Sequence, residues 1–476
     1  MKRILLLFAL LSLAVCGQGK VRLPALVGNN MVLQQQAEVN LWGWASPSRH
    51  IEVRASWLTS PVTTDADSNG RWCVKVQTPK ASLEKYRISI SDGEIVELEN
   101  VLIGEVWICS GQSNMGFRLE GQRGQPMEGG LSAIVTSGRY ADRIRVIDVD
   151  PQITKEPRED FNGQWAIPSA VTAPRFSAVA YFFAVNLTEA LGVPVGIVHN
   201  SWGGSKIEAW MDEKTLSGIE GFDLGKARNN KQLHQIPANL YKSMLSPLFG
   251  FKARGFLWYQ GEANIGTHRT YARMMTEMVA LWRTCWGDRN QEMPFYCVQL
   301  APHRYNDPNG TLCPLLVEAQ LRALRDIPNS GMVPTGDIGN DYCIHPPQKA
   351  PVGLRLANLA LVRTYKAAST PSTGPVYQSH IIEGNVVKIR FENARMGLIP
   401  RFEPVRGFEI AGKDRVFHPA EVRIDPNTPT LFVSSDAVTE PVAVRYAFHN
   451  YNDANLANTV GMPAFPFRTD TWDDVR

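Results

Sequence analysis

The sequence predicts an α/β chain: a three-layer α/β/α region with a mostly parallel sheet, flanked by β regions at its N-terminal and C-terminal ends. Three observations carry this. Residues 21–100 show short runs with period-two apolar alternation, broken by turn residues. Residues 101–370 switch to apolar strand-like runs that alternate with helical periodicity over short links, the rhythm of a parallel sheet covered on both faces. Residues 371–476 return to β character.

Taken in order, the first region offers strands at 39–44, 50–57, 72–76, 86–90 and 95–98, with turns at Pro47-Ser48 and Ser68-Asn69-Gly70, a spacing suited to a small β-sandwich. In the second, strands are expected at 101–109, 144–149, 195–200, 255–259, 294–300 and 331–335. Helices are expected at 178–191, stopped by Gly192, and at 271–286 and 353–367. The third region reads as a hairpin over 380–391 turning at Glu383-Gly384-Asn385, then strands at 407–411, 430–434 and 442–448. The expected division is therefore 21–100, 101–370 and 371–476.

At 476 residues the chain has room for two or three domains. An apolar fraction of 44% and a charged fraction of 20% describe an ordinary globular protein. A net charge of +3, without a dense basic stripe, gives no reason to expect a nucleic-acid or membrane-surface partner. Twelve Trp suit stacking on sugar rings, although filling β-domain cores accounts for most of them.

Lys2 and Arg3 precede an apolar run over residues 4–15, the layout of a signal peptide spanning 1–16, too short for a membrane anchor. Export to the periplasm or the exterior is expected. Leu13-Ala14-Val15-Cys16 also resembles a lipoprotein processing site, so a lipid on Cys16 is the second expectation. No later stretch is apolar enough to span a bilayer. The six later cysteines show no metal-ligand spacing. Cys109 and Cys297 sit in apolar strands as buried thiols, whereas Cys313 has Cys285 or Cys343 as a disulfide partner in an exported chain.

The polar clusters are more telling than the elements. Ser110 to Asn114, Asn200 to Ser205, Gln260 to Asn264 and Asp337 to His345 each follow the C-terminal end of an expected strand. In an open parallel sheet those ends share one edge, where sites form. Ester cleavage needs a nucleophile, a base for its proton, and donors for the oxyanion. Ser113 lies on a tight Gly-bearing turn, a position that equally suits a plain turn or a helix cap. Gly203 and Gly204 permit close backbone approach, and the amides of Gln260 and Asn264 are candidate side-chain donors. Glu262 would repel an oxyanion and is expected behind the site. His345, held extended before Pro346-Pro347, is the preferred base, with His199 its strongest rival.

Val106-Trp107-Ile108-Cys109-Ser110-Gly111-Gln112-Ser113-Asn114-Met115 resembles the nucleophile block of the sialate O-acetylesterase family, a branch of the SGNH hydrolases. Asn200-Ser201-Trp202-Gly203-Gly204-Ser205-Lys206-Ile207-Glu208-Ala209-Trp210, Trp258-Tyr259-Gln260-Gly261-Glu262-Ala263-Asn264 and Ile344-His345-Pro346 are similar to its later blocks, in order. Met31-Val32-Leu33-Gln34 and Pro463-Ala464-Phe465-Pro466-Phe467-Arg468-Thr469-Asp470 match its flanking motifs. The resemblance implies a sugar O-acetylesterase acting through Ser113 as nucleophile and His345 as base, then acid. It implies an oxyanion held by the Ser113 N–H, a Gly203 or Gly204 N–H and the Gln260 or Asn264 amide, without metal or organic cofactor. One departure stands out. The superfamily places an Asp three residues before the His, where this chain has Tyr342, so Asp341 is expected to orient the imidazole, with Asp337 the weaker candidate and a backbone carbonyl the alternative. The expected partner is an O-acetylated sugar: a sialic acid, whose carboxylate calls for an Arg such as Arg118, Arg175 or Arg304, or a plant polysaccharide such as acetylated xylan. A non-catalytic sugar-binding protein on the same scaffold is the remaining reading, and the sequence leaves the oligomeric state open.

Overall fold

The computed structural model describes residues 21–473. The expected leader and Cys16 lie outside the described residues.

The N-terminal region forms from strands β1 (Val32–Gln34), β2 (Glu38–Trp44), β3 (His50–Ala55), β4 (Val62–Asp65), β5 (Arg71–Gln77) and β6 (Ser82–Ser91). Period-two burial is clear in β5, where Trp72, Val74 and Val76 point inward while Lys75 and Gln77 face water. Antiparallel β2 and β5 make one small sheet, and β4, β3 and β6 lead in that order to β7 (Ile95–Gly111).

β7 departs from expectation. The strands expected at 95–98 and 101–109 are one strand of 17 residues. Its first part pairs antiparallel with β6, and its last part lies at the centre of the parallel sheet. The division drawn between 100 and 101 therefore falls inside a strand shared by both regions. The physical reason is local: Asn100, which reads as a break, takes a positive φ of 56° without ending the ladder.

The parallel sheet runs β8 (Ile144–Asp148), β9 (Val195–Ser201), β7, β10 (Gly255–Tyr259), β11 (Phe295–Val298) and β12 (Ser330–Val333), parallel at every step. The helices are α1 (Gly130–Thr136), α2 (Ala178–Leu191), α3 (Glu213–Ser217), α4 (Leu224–Arg228), α5 (His268–Cys285), α6 (Leu312–Asp326) and α7 (Ala350–Arg363). Alternate strand residues sort onto two faces. Ile108, Phe256 and Trp258 join Met275, Trp282 and Leu316 from α5 and α6. Trp107, Cys109, Ile197 and Leu257 join Val179, Phe183, Val352 and Leu356 from α2 and α7. Each fully buried side chain of this size contributes about 1.5–3 kcal/mol. The result is three layers, with the C-terminal ends of the parallel strands along one edge of the sheet.

Residues 376–468 add two four-stranded sheets around Ile389, Phe408, Val433, Val444 and Phe467. An ion pair between Arg445 and Asp470, 2.8 Å apart with both side chains 1% exposed, closes this region. Arg468, 2.9 Å from Glu318, ties it to α6. The disulfides considered for Cys313 do not form: all six described cysteines are free, and the Cys313 thiol instead faces the Ala301 carbonyl at 3.8 Å.

Candidate active site

The four polar loops meet at the strand-end edge. Gly111 ends β7 with a φ of 143°, and a β-carbon there would lie 2.1 Å from the Tyr259 carbonyl, so only glycine lets the chain turn beside β10. The turn that follows presents Ser113. It is braced from behind by Ser177, the N-cap of α2, which donates to the Met115 carbonyl at 2.6 Å and accepts from the Ala180 N–H.

His345 Nε2 stands 2.8 Å from Ser113 Oγ. Its loop is shaped by Asn340, whose side-chain oxygen accepts from the Tyr342 and Cys343 N–H groups. The loop is then tied to the nucleophile turn, since Asn114 Nδ2 donates to the Ile344 carbonyl at 3.1 Å.

The partner of the other ring nitrogen corrects the expectation. Nδ1 of His345 lies 2.7 Å from Gln125 Oε1, while Asp341 Oδ1 lies 3.0 Å from Arg304 Nε and Asp337 pairs with Arg355. Neither acid bonds the ring: Arg355 donates to both Asp337 oxygens, and Arg304 lies beside Asp341, whose Oδ1 makes no hydrogen bond among the described residues. Gln125 is positioned by a tight turn in which the Gln122 and Gln125 backbones exchange both hydrogen bonds. An amide oxygen accepts the Nδ1 proton and so leaves Nε2 free to take one from Ser113. It brings no charge to stabilise the imidazolium.

The electrostatics point the same way. Burial first, then the charges of Lys349 and His303, lower the His345 pKa to about 4. Lys349 is itself buried, its Nζ 2.5 Å from Asn114 Oδ1 and 4.9 Å from the Phe117 ring centre. Burial lowers its pKa to about 7, against the raising effect of Glu262. Glu262 takes the other end of the same amide, accepting from Asn114 Nδ2, and burial raises its pKa. The amide beside Ser113 is thus gripped between the Lys349 amine and the Glu262 carboxyl group.

The expected side-chain oxyanion donors are placed elsewhere. Gln260 Nε2 donates to Asn264 Oδ1 at 2.7 Å and to the Ser205 carbonyl at 3.1 Å. Asn264 Nδ2 is spent on Glu208 and Thr267. Both side chains are buried, and four residues apart on one turn they bond each other instead of facing Ser113. Gly203 does approach: a β-carbon on it would lie 3.5 Å from Ser113 Cβ. Gly204 turns away, toward His234. Among the described residues neither the Ser113 nor the Gly203 N–H donates a hydrogen bond. The sequence reading missed Gln112, whose Oε1 accepts from the Gly261 and Ala263 N–H groups and whose Nε2 makes no bond among the described residues. It also missed Gln125, for which the Gly121 and Gly124 turn was the available signal. No group of three or more His, Cys, Asp or Glu is placed to hold a metal among the described residues.

Comparison with known proteins gives the family. The family profile described as "Carbohydrate esterase, sialic acid-specific acetylesterase" matches residues 103–361. Sialate O-acetylesterase of Homo sapiens is 25% identical over 397 residues, covering 75% of this chain and 73% of that protein. The Mus musculus protein is 25% identical over 517 residues, covering 94% of each. The crystal structure of a carbohydrate acetylesterase from Xanthomonas citri is 34% identical, with a TM-score of 0.86, and the match covers 95% of this chain and all of that one. A profile spanning more than half of the chain, joined to a relative of this identity and coverage, places the chain in the sialic acid-specific acetylesterase family of carbohydrate esterases.

Proposed function

We propose that the chain releases acetate from O-acetylated sugars by a Ser113–His345 mechanism. The carrying observation is the 2.8 Å contact between Ser113 Oγ and His345 Nε2, with Nδ1 of the same ring held by Gln125. Ser113 attacks the acetyl carbonyl as His345 takes its proton. The imidazolium returns that proton to the departing sugar oxygen, and water then resolves the acetyl ester by the reverse sequence. The Ser113 and Gly203 N–H groups, with the Gln112 amide, are the donors for the oxyanion. Trp202, stacked on His234 at 5.6 Å beside Gly203, offers an apolar wall for a sugar ring.

A sialic acid is the first sugar reading, in keeping with the family, and a neutral plant polysaccharide such as acetylated xylan is the second. Arg304 and Arg118 form ion pairs with Asp341 and Glu120 but are themselves exposed, and exposed Arg123 and Arg175 carry no ion pair among the described residues, so a substrate carboxylate has cations to meet. Acetate release from acetylated sialic acids, xylan and mannan in parallel tests both readings. Hydrolysis of none of them would favour a sugar-binding role. Export is part of the proposal, supported by the leader-like residues 1–16, and the first residue of the mature protein tests it.

A further inference from the structure

His199 belongs to a second constellation that the mechanism above does not use. Its Nε2 stands 2.8 Å from Ser201 Oγ, and its Nδ1 stands 2.6 Å from Asp148 Oδ1. Asp148 ends β8, while His199 and Ser201 end β9, on the strand-end edge that also carries Ser113. Two residues apart on one strand, His199 and Ser201 point to the same face, so their contact follows from the pleat. The carboxylate accepts the Nδ1 proton and fixes the tautomer that leaves Nε2 as acceptor, the order of roles that activates a serine.

We propose that Ser201, His199 and Asp148 form a second activated-serine site that accepts small acyl or phosphonyl groups. Three observations support this. Ser201 is half-buried, and the lack of a side chain on Gly116, whose backbone packs beside it, leaves its hydroxyl room, since a β-carbon there would lie 2.7 Å from Ser201 Oγ. The His199 side chain is 13% exposed, held between Ser201 and an Asp148 that is 49% exposed. The N–H of Gly204, three residues along the chain from Ser201, donates no hydrogen bond among the described residues. In the step itself, Ser201 Oγ bonds to the acyl carbon and its proton passes to His199 Nε2. The ester C–O bond breaks and the departing alcohol takes that proton, leaving an acyl-serine. With a fluorophosphonate the P–F bond breaks, and fluoride and the proton leave together.

The test is peptide mapping after treatment with a small alkyl fluorophosphonate, with the Ser113 and Ser201 peptides resolved separately. Ser201 is expected to be labelled in the wild-type protein and in Ser113→Ala, and Asp148→Asn to lower the ratio of Ser201 to Ser113 label about 10²-fold or more. No label on Ser201 in wild-type protein whose Ser113 is fully labelled overturns the proposal, as does a ratio indifferent to Asp148→Asn. The chain from Asp148 to Ser201 would then be a brace for the nucleophile turn. Absence of label on Ser113 bears on the proposed function instead, so the two failures are distinct. Mapping the wild type also keeps the test independent of how well Ser113→Ala folds.

Discussion

The two serine–histidine pairs on the strand-end edge differ in what meets the far nitrogen of each ring. His199 has the carboxylate of Asp148 at 2.6 Å, whereas His345 has the neutral amide of Gln125 at 2.7 Å and a buried cation, Lys349, nearby. Completeness as a Ser-His-Asp triad is thus greater at Ser201, yet Ser113 has the family's nucleophile block, the close approach of Gly203 and the unbonded backbone N–H groups. The difference teaches that a charged third member is one of several ways to hold a base. In the proposed mechanism Gln125 fixes the tautomer, burial keeps the ring neutral, and the oxyanion donors carry the larger share of rate acceleration.

The sharpest way to break the comparison is to remove each acid or nucleophile in turn. Ser113→Ala is expected to lower turnover of an acetylated sugar about 10⁴-fold or more with the fold retained. Asp341→Asn should change turnover by no more than a few-fold, because that carboxylate serves Arg304. Steady-state kinetics and a thermal melt on both variants decide the point, and a large loss in Asp341→Asn would restore the acid as His345's partner.

Gln260→Ala separates the brace from the hole. Its loss leaves Tyr271 Oη, the Ser205 carbonyl and Asn264 short of a partner, costing about 1–3 kcal/mol of stability. Turnover of the folded fraction should fall far less than the 10²–10³-fold typical of a lost oxyanion donor. Gln112→Ala, by contrast, should approach that loss if its amide faces the oxyanion.

Smaller effects probe the base. Gln125→Ala removes one hydrogen bond worth about 1 kcal/mol, so turnover should drop roughly 5–10-fold. Gln125→Glu gives His345 the carboxylate that His199 already has, and the acid limb of kcat/KM should move to higher pH. In the wild type that limb is expected near pH 4, since His345 works only when neutral and its pKa is held at about 4. Lys349→Met removes a like charge and should also shift the limb upward. The linked stability has the same sign: a folded-state pKa below the unfolded value of about 6.5 gives a contribution complete above that pH and lost as pH falls through about 4. A limb near 6.5 in the wild type would contradict the electrostatic account.

Much of this was legible in the sequence. The alternation of apolar runs and helical periodicity put four polar loops on one edge, and the strands and helices at 178–191 and 255–259 match α2 and β10 residue for residue. Helix α6 went unread because Pro314 sits in its first turn and masks the spacing of Leu316, Val317, Gln320 and Ala323. For Gln125 the sequence marked only a turn, through Gly121 and Gly124, and a turn carries no sign of the ring its amide meets. Asp341 misled because nearness along the chain says nothing about a cation on a neighbouring loop. Gln260 and Asn264 misled for the opposite reason: their spacing of four residues pairs them with each other before either can reach the site.

The account's central claim is that the acetyl group passes through Ser113. Acid-quenched mixing of the wild-type protein with an aryl acetate, followed by peptide mapping, tests it most directly. The account predicts an acetyl ester on Ser113 that forms within the first turnover and disappears in Ser113→Ala and in His345→Ala. Burst formation of product with no acetyl on Ser113, or an acetyl found on Ser201 alone, would contradict it.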